Sequence, residues 1–84
     1  MNKKYMMFGW VIDGSGWLIK DTLDEAKNEW CFGRMIFEID EDKVEELNKY
    51  GQKVKSNRLI IEKLKENYPL VYQEGEPPEY FVVK

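Results

Sequence analysis

The chain is 84 residues long, 43% hydrophobic, 14% aromatic and 35% charged, with a formal net charge of −3. That length accommodates one small domain, and the composition is too apolar and aromatic for a disordered tail. With no histidine and a single cysteine, Cys31, the chain cannot by itself build a Ser-His-Asp or Cys-His site, an internal disulfide or a Cys-rich zinc site.

Tyr5–Ile12 is an almost unbroken apolar and aromatic run of strand length. Lysines precede it, which gives the start the outline of a signal peptide. The run is short, however, and meets Asp13-Gly14-Ser15-Gly16 instead of a small-residue cleavage site. It therefore reads as a strand, followed by a turn and a second strand, Trp17–Lys20. A two-residue turn at Gly14-Ser15 sets Ile12 opposite Trp17 and Trp10 opposite Ile19. Phe8, Trp10, Ile12, Trp17 and Ile19 then share one face, and Tyr5, Met7, Val11 and Leu18 the other. Both faces are apolar, so the hairpin should be covered on both sides or use one side for a partner.

Thr22-Leu23-Asp24-Glu25 has the form of a capping box. It opens a helix with Leu23, Ala26 and Trp30 on one stripe, and Gly33 suits a left-handed stop. Arg34–Ile39 is a third strand. Asp40 is placed to cap a second helix from Glu41 to Tyr50, with Val44, Leu47 and Tyr50 inward and Gly51 ending it. Lys53-Val54-Lys55 is ambiguous between linker and short strand. Ser56 caps a third helix, Asn57–Asn67, that stops at Tyr68-Pro69. Ile60, Ile61, Leu64 and Tyr68 fall on its apolar arc. The tail reads as a hairpin of Leu70–Gln73 and Tyr80–Val83 around Pro77-Pro78. The order ββαβααββ makes residues 1–84 a single α+β domain, with three helices and a mainly antiparallel sheet.

Charge is unevenly distributed. Residues 21–46 carry ten acids against three bases, whereas residues 47–68 carry six bases against two acids. The acids include Asp40, Glu41, Asp42, Glu45 and Glu46; the bases include Lys49, Lys53, Lys55 and Arg58. Each block can steer a partner of opposite sign. Each also has a plainer reading: acids early and bases late on solvated helices follow the helix dipole.

Asp13-Gly14-Ser15-Gly16-Trp17-Leu18 resembles the middle of an EF-hand calcium loop. Val11 and Thr22 nevertheless occupy the first and last ligand positions, and the flanks read as strands, so a hairpin turn is the better reading. The same glycines lack phosphate-cradle spacing. Cys31 has no neighbouring base in sequence and reads as core. Glu38 and Asp40 share one strand face, but a helix cap accounts for Asp40 equally well. No motif calls for a metal or a cofactor.

These features point to a small non-enzymatic protein-interaction domain, an inhibitor or regulator acting through an acidic and aromatic surface. Its expected partner-binding residues are Trp10, Trp17, Asp40, Glu41, Asp42, Glu45 and Glu46. The alternative is a nucleic-acid-binding regulator using Lys49, Lys53, Lys55 and Arg58, although a pI near 5.0 lacks the overall basic footprint. The aromatic sheet also leaves a homodimer open. A lone cysteine and the lack of any run of ~20 apolar residues point to the cytoplasm, with no membrane partner. Lys/Asn/Ile/Glu-rich usage suits a phage or mobile-element protein of a low-GC host.

Overall fold

A computed structural model gives the fold and describes residues 2–10 and 16–75. Strand β1 (Lys3–Trp10) is followed by β2 (Trp17–Lys20), helix α1 (Leu23–Asn28) and β3 (Phe32–Asp40). A single 3₁₀ turn (Glu41–Lys43) leads into α2 (Val44–Val54), α3 (Asn57–Asn67) and β4 (Leu70–Glu74). The strands form one four-stranded sheet in the order β2-β1-β3-β4, and every neighbouring pair is antiparallel. The α+β architecture expected from the sequence is therefore the observed one. The expected final strand, Tyr80–Val83, and the Asp13–Ser15 turn lie outside the described residues.

Because β2 and β3 both run antiparallel to β1, they run parallel to each other, and α1 carries the chain across one face between them. Helices α2 and α3 connect β3 to β4 across the opposite face. The apolar alternation of the hairpin is thereby satisfied twice. Met6, Phe8, Trp17, Met35, Phe37 and Ile39 pack with Leu47, Ile60 and Leu64 in the larger core. Met7, Ile36, Ala26 and Cys31 form the smaller one, flanked by Tyr5, Leu18 and Leu23. Phe8 and Phe37 meet edge to face at 6.1 Å in the larger core.

Phe8, Trp17 and Ile19 on one face and Tyr5, Met7 and Leu18 on the other match the sequence reading. Val11 and Ile12 lie outside the described residues, and the register differs. Trp17 pairs with Phe8, and Ile19 with Met6, so the hairpin closes four residues earlier on β1 than a two-residue turn requires. A slip by an even number leaves each side chain on its own face. In this register Trp17 is seated beneath α2. Its indole is only 3% exposed, lies against Gly51, and donates through Nε1 to Asn48 Oδ1 at 2.9 Å.

Gly51 consequently does not end α2, which continues through Val54 to a left-handed Lys55 (φ 51°) whose N–H donates to the Gly51 carbonyl at 3.0 Å. Inside a helix, alanine ordinarily gains about 1 kcal/mol over glycine. At this site an added Cβ would lie less than 3.0 Å from three ring carbons of Trp17. The anchored indole has little room to move, and over-packing a filled core costs about 1–3 kcal/mol. Gly51→Ala is therefore expected to lower the urea midpoint with the slope unchanged. A raised midpoint would contradict the seat assigned to Trp17.

Two caps also differ from expectation. The Glu25 N–H donates to Thr22 Oγ1, as a cap requires, but the Glu25 carboxylate accepts from the Thr22 hydroxyl, both at 3.1 Å. Asp40 makes no side-chain cap bond. It is the register partner of Lys3 across β1 and β3, and it pairs with that ammonium at 2.5 Å. Ser56 caps α3 as expected, accepting from the Leu59 N–H at 3.4 Å.

Candidate protein-interaction surface

Helix α1 stops short of Trp30, and a side chain farther along the chain takes up the carbonyls at its end. Arg34 is 8% exposed. Its Nη1 donates to the carbonyls of Ala26 (2.9 Å) and Lys27, and its Nη2 to that of Cys31 (3.2 Å). The guanidinium thus satisfies carbonyls at the C-terminal end of α1 and holds the following turn. No carboxylate pairs with it among the described residues.

Beyond that turn the chain alternates as an extended segment. Cys31 points inward, 6% exposed, while Trp30 and Phe32 stand out at 74% and 60%. Trp30 is therefore not on the buried stripe of α1, as its helical spacing suggests. Gly33 (φ 61°) is not a helix stop either; it lies within β3, where the β1 register shifts by one residue. The shift brings Phe32 opposite Trp10, which is 52% exposed. The Trp30 and Phe32 rings meet at 5.7 Å, inclined by 63°. With 150–250 Å² per aromatic side chain, the exposed parts of Trp10, Trp30 and Phe32 amount to about 300–450 Å². That is the size of the largest apolar patch on a typical monomer, which is often functional.

The structure divides the surface that the sequence reading treats as one. Trp17 is buried beneath α2 and leaves the set of surface anchors. Trp10 lies at the aromatic end of the sheet. Asp40 lies at the far end of the nine-residue β3 from Phe32, about 26 Å away along the strand. Asp40 is engaged by Lys3, and Glu45 pairs with Lys49 at 3.2 Å. Glu41, Asp42 and Glu46 are exposed and make no ion pair among the described residues. The acidic residues do come together, around the start of α2.

The basic residues Lys49, Lys53, Lys55 and Arg58 are exposed along α2 and the start of α3. Arg58 pairs with Glu62 at 3.3 Å, and the Lys63 ammonium covers the Tyr50 ring at 4.9 Å from its centroid. That ring face is therefore already occupied by a cation.

Cys31, Tyr5 and Glu38 are each engaged in the fold. Burial pushes the Cys31 thiol up, and the nearby Arg34 charge opposes this only in part. A nucleophilic cysteine needs the opposite shift. Glu38 accepts from the Tyr5 hydroxyl at 3.2 Å. Burial first, and that hydrogen bond second, push the Tyr5 hydroxyl above its usual range. Among the described residues, no group of three or more His, Cys, Asp or Glu is arranged to hold a metal ion. Nor is any helix among them long and apolar enough to cross a membrane.

Sequence reasoning missed Trp30 and Phe32 as surface residues. A signal was present: Trp30-Cys31-Phe32 has the period of two of an extended segment, with the small thiol as its inward member. Arg34 gave no such signal, since a strand-edge arginine ordinarily reads as solvated. Comparison with protein-family models, with curated proteins and with solved structures finds no significant match.

Proposed function

We propose that this chain is a small, non-enzymatic, cytoplasmic protein-interaction domain that inhibits or regulates its partner by binding, with Trp10, Trp30 and Phe32 as its anchors. The supporting observation is the exposure of these large aromatic side chains together at one end of the sheet. Tryptophan and other aromatic residues are enriched at the centres of interfaces, where a few side chains dominate the binding energy. The position of Cys31, buried with its thiol pushed up, fits a domain that binds rather than turns over a substrate. The nucleic-acid reading draws less support, because Arg58 and Lys49 are tied to carboxylates and the Tyr50 face is covered.

Capture from a low-GC bacterial lysate tests the reading. Trp30→Ala and Phe32→Ala are each expected to leave stability within about 0.5–1 kcal/mol. Each should weaken retention of a specific protein by about 2 kcal/mol or more, roughly 30-fold. Turnover of a small molecule with no protein retained would overturn the proposal. So would a salt-dependent shift of labelled nucleic acid that is lost on charge reversal at Lys53, Lys55 and Arg58. Mass that rises with concentration, and falls on Trp30→Ala, would identify a homodimer instead.

A further inference from the structure

On a different flank of the molecule, helix α2 overhangs an open strand edge. Strand β2 has β1 on one side and no neighbour on the other among the described residues. Trp17 reaches from β2 beneath α2 to Asn48, which sets the adjoining helix stripe, Glu45, Asn48 and Gln52, beside the strand. Two hollows lie along this stripe. One of about 710 Å³ adjoins Lys4, Val44 and Glu45, and one of about 320 Å³ adjoins Trp17, Leu18 and Ile19. Asn48 and Gln52 line both, so the two open hollows adjoin along α2, and together they are termed the groove.

The groove offers what an extended chain needs. Alternate residues of an edge strand turn their N–H and C=O outward, ready to pair with an added strand. Asn48 uses Oδ1 for Trp17, which leaves its NH₂ as a donor on the groove wall, next to the amide of Gln52. The charge at one end of the groove is negative. Lys4 and Lys49 line it but are engaged by Asp21 and Glu45, whereas Glu41 and Asp42 line it with no ion pair among the described residues. A second copy of the chain would bring the same acidic wall; a basic segment is the complementary occupant.

We infer that this groove takes a short extended peptide, which adds to β2 as a strand and sets a basic side chain against Glu41 and Asp42. Strand addition supplies affinity through the backbone, and the side chains at alternate positions supply specificity. The inference rests on the reading of the chain as a protein-binding module, but it uses a surface separate from Trp30 and Phe32.

An NMR titration of the full chain with a blocked hexapeptide of alternating lysine and valine tests it. Saturable shifts are expected at Trp17–Lys20, Asn48 and Gln52. Combined Glu41→Lys and Asp42→Lys should weaken binding by about tenfold or more. A peptide of the same sequence, N-methylated at every backbone nitrogen, should not bind, because neither of its edges can donate to the strand. Trp30→Ala should leave the titration unchanged. The inference fails if no saturable shift occurs, if a glutamate-valine peptide binds equally well, or if the shifts fall at Trp10, Trp30 and Phe32. It also fails if β2 shifts with protein concentration and no peptide, which would identify a second copy as the occupant. Loss of lysate capture in Trp30→Ala is read separately, so failure of the groove and failure of the aromatic surface are distinguishable.

Discussion

Trp17→Ala is expected to remove about 3–5 kcal/mol of folding stability, the range for truncating a buried aromatic residue. A chain of this length has on the order of 4–13 kcal/mol in total, so the variant should be near the limit of folding. The loss has two parts. The vacated space lies between β2 and α2, against Gly51, and a glycine backbone has no side chain with which to refill it. The hydrogen bond from Nε1 to Asn48 is lost as well. Trp17→Phe keeps most of the packing and loses the bond, so a smaller deficit, about 1–2 kcal/mol, is expected. Chemical denaturation of both variants measures the difference. A change below about 1 kcal/mol in Trp17→Ala would put the indole on the surface, where the sequence reading had it.

Arg34→Met has the second largest expected effect, about 2–4 kcal/mol. The substitution leaves the carbonyls of Ala26, Lys27 and Cys31 without their donors, and an unsatisfied buried acceptor costs about 1–3 kcal/mol. Removing a buried guanidinium that has no carboxylate partner among the described residues returns some desolvation energy, so the penalties do not simply add. Arg34→Lys should recover only part of the loss, because one ammonium cannot reproduce the planar fork. Hydrogen exchange locates the damage. Faster exchange is expected in α1 and in the turn to Phe32, with the amides of α3 little changed. Uniform loosening across the domain would contradict a local clamp.

How far the fold was legible depended on how local each signal was. The bounds of α3 follow from Ser56 at one end and Tyr68-Pro69 at the other, and the structure has the helix at Asn57–Asn67. The two faces of the hairpin follow from alternation alone and survive an incorrect register. The register was not legible from the hairpin alone, since it seats Trp17 against Gly51, thirty-four positions away in the chain. The same contact changes the meaning of Gly51 from a helix stop to a point of close approach. Asp40 illustrates the limit of local signals from the other side. It sits where a cap belongs, yet the cross-strand ammonium of Lys3 takes its carboxylate.

The candidate surface was legible only in its ingredients. Aromatic residues and acids both mark places where a partner can touch, and the sequence supplies both. That they stand at opposite ends of β3 follows from the strand's length and from the Gly33 shift that sets Phe32 beside Trp10. Helical spacing places Trp30 on the stripe of Leu23 and Ala26, but α1 ends at Asn28. The carbonyls at the helix end are taken by a buried arginine from the next strand, a partner that helical spacing does not reveal.

The most direct test of the account is the affinity of the captured partner for the folded wild type and for Trp30→Ala, with the stability of each measured on the same sample. The account predicts unfolding midpoints that nearly coincide and an affinity lower by roughly 30-fold or more in the variant. Equal affinities in two equally stable proteins would contradict it, and would leave the exposed aromatic end of the sheet without a role in binding.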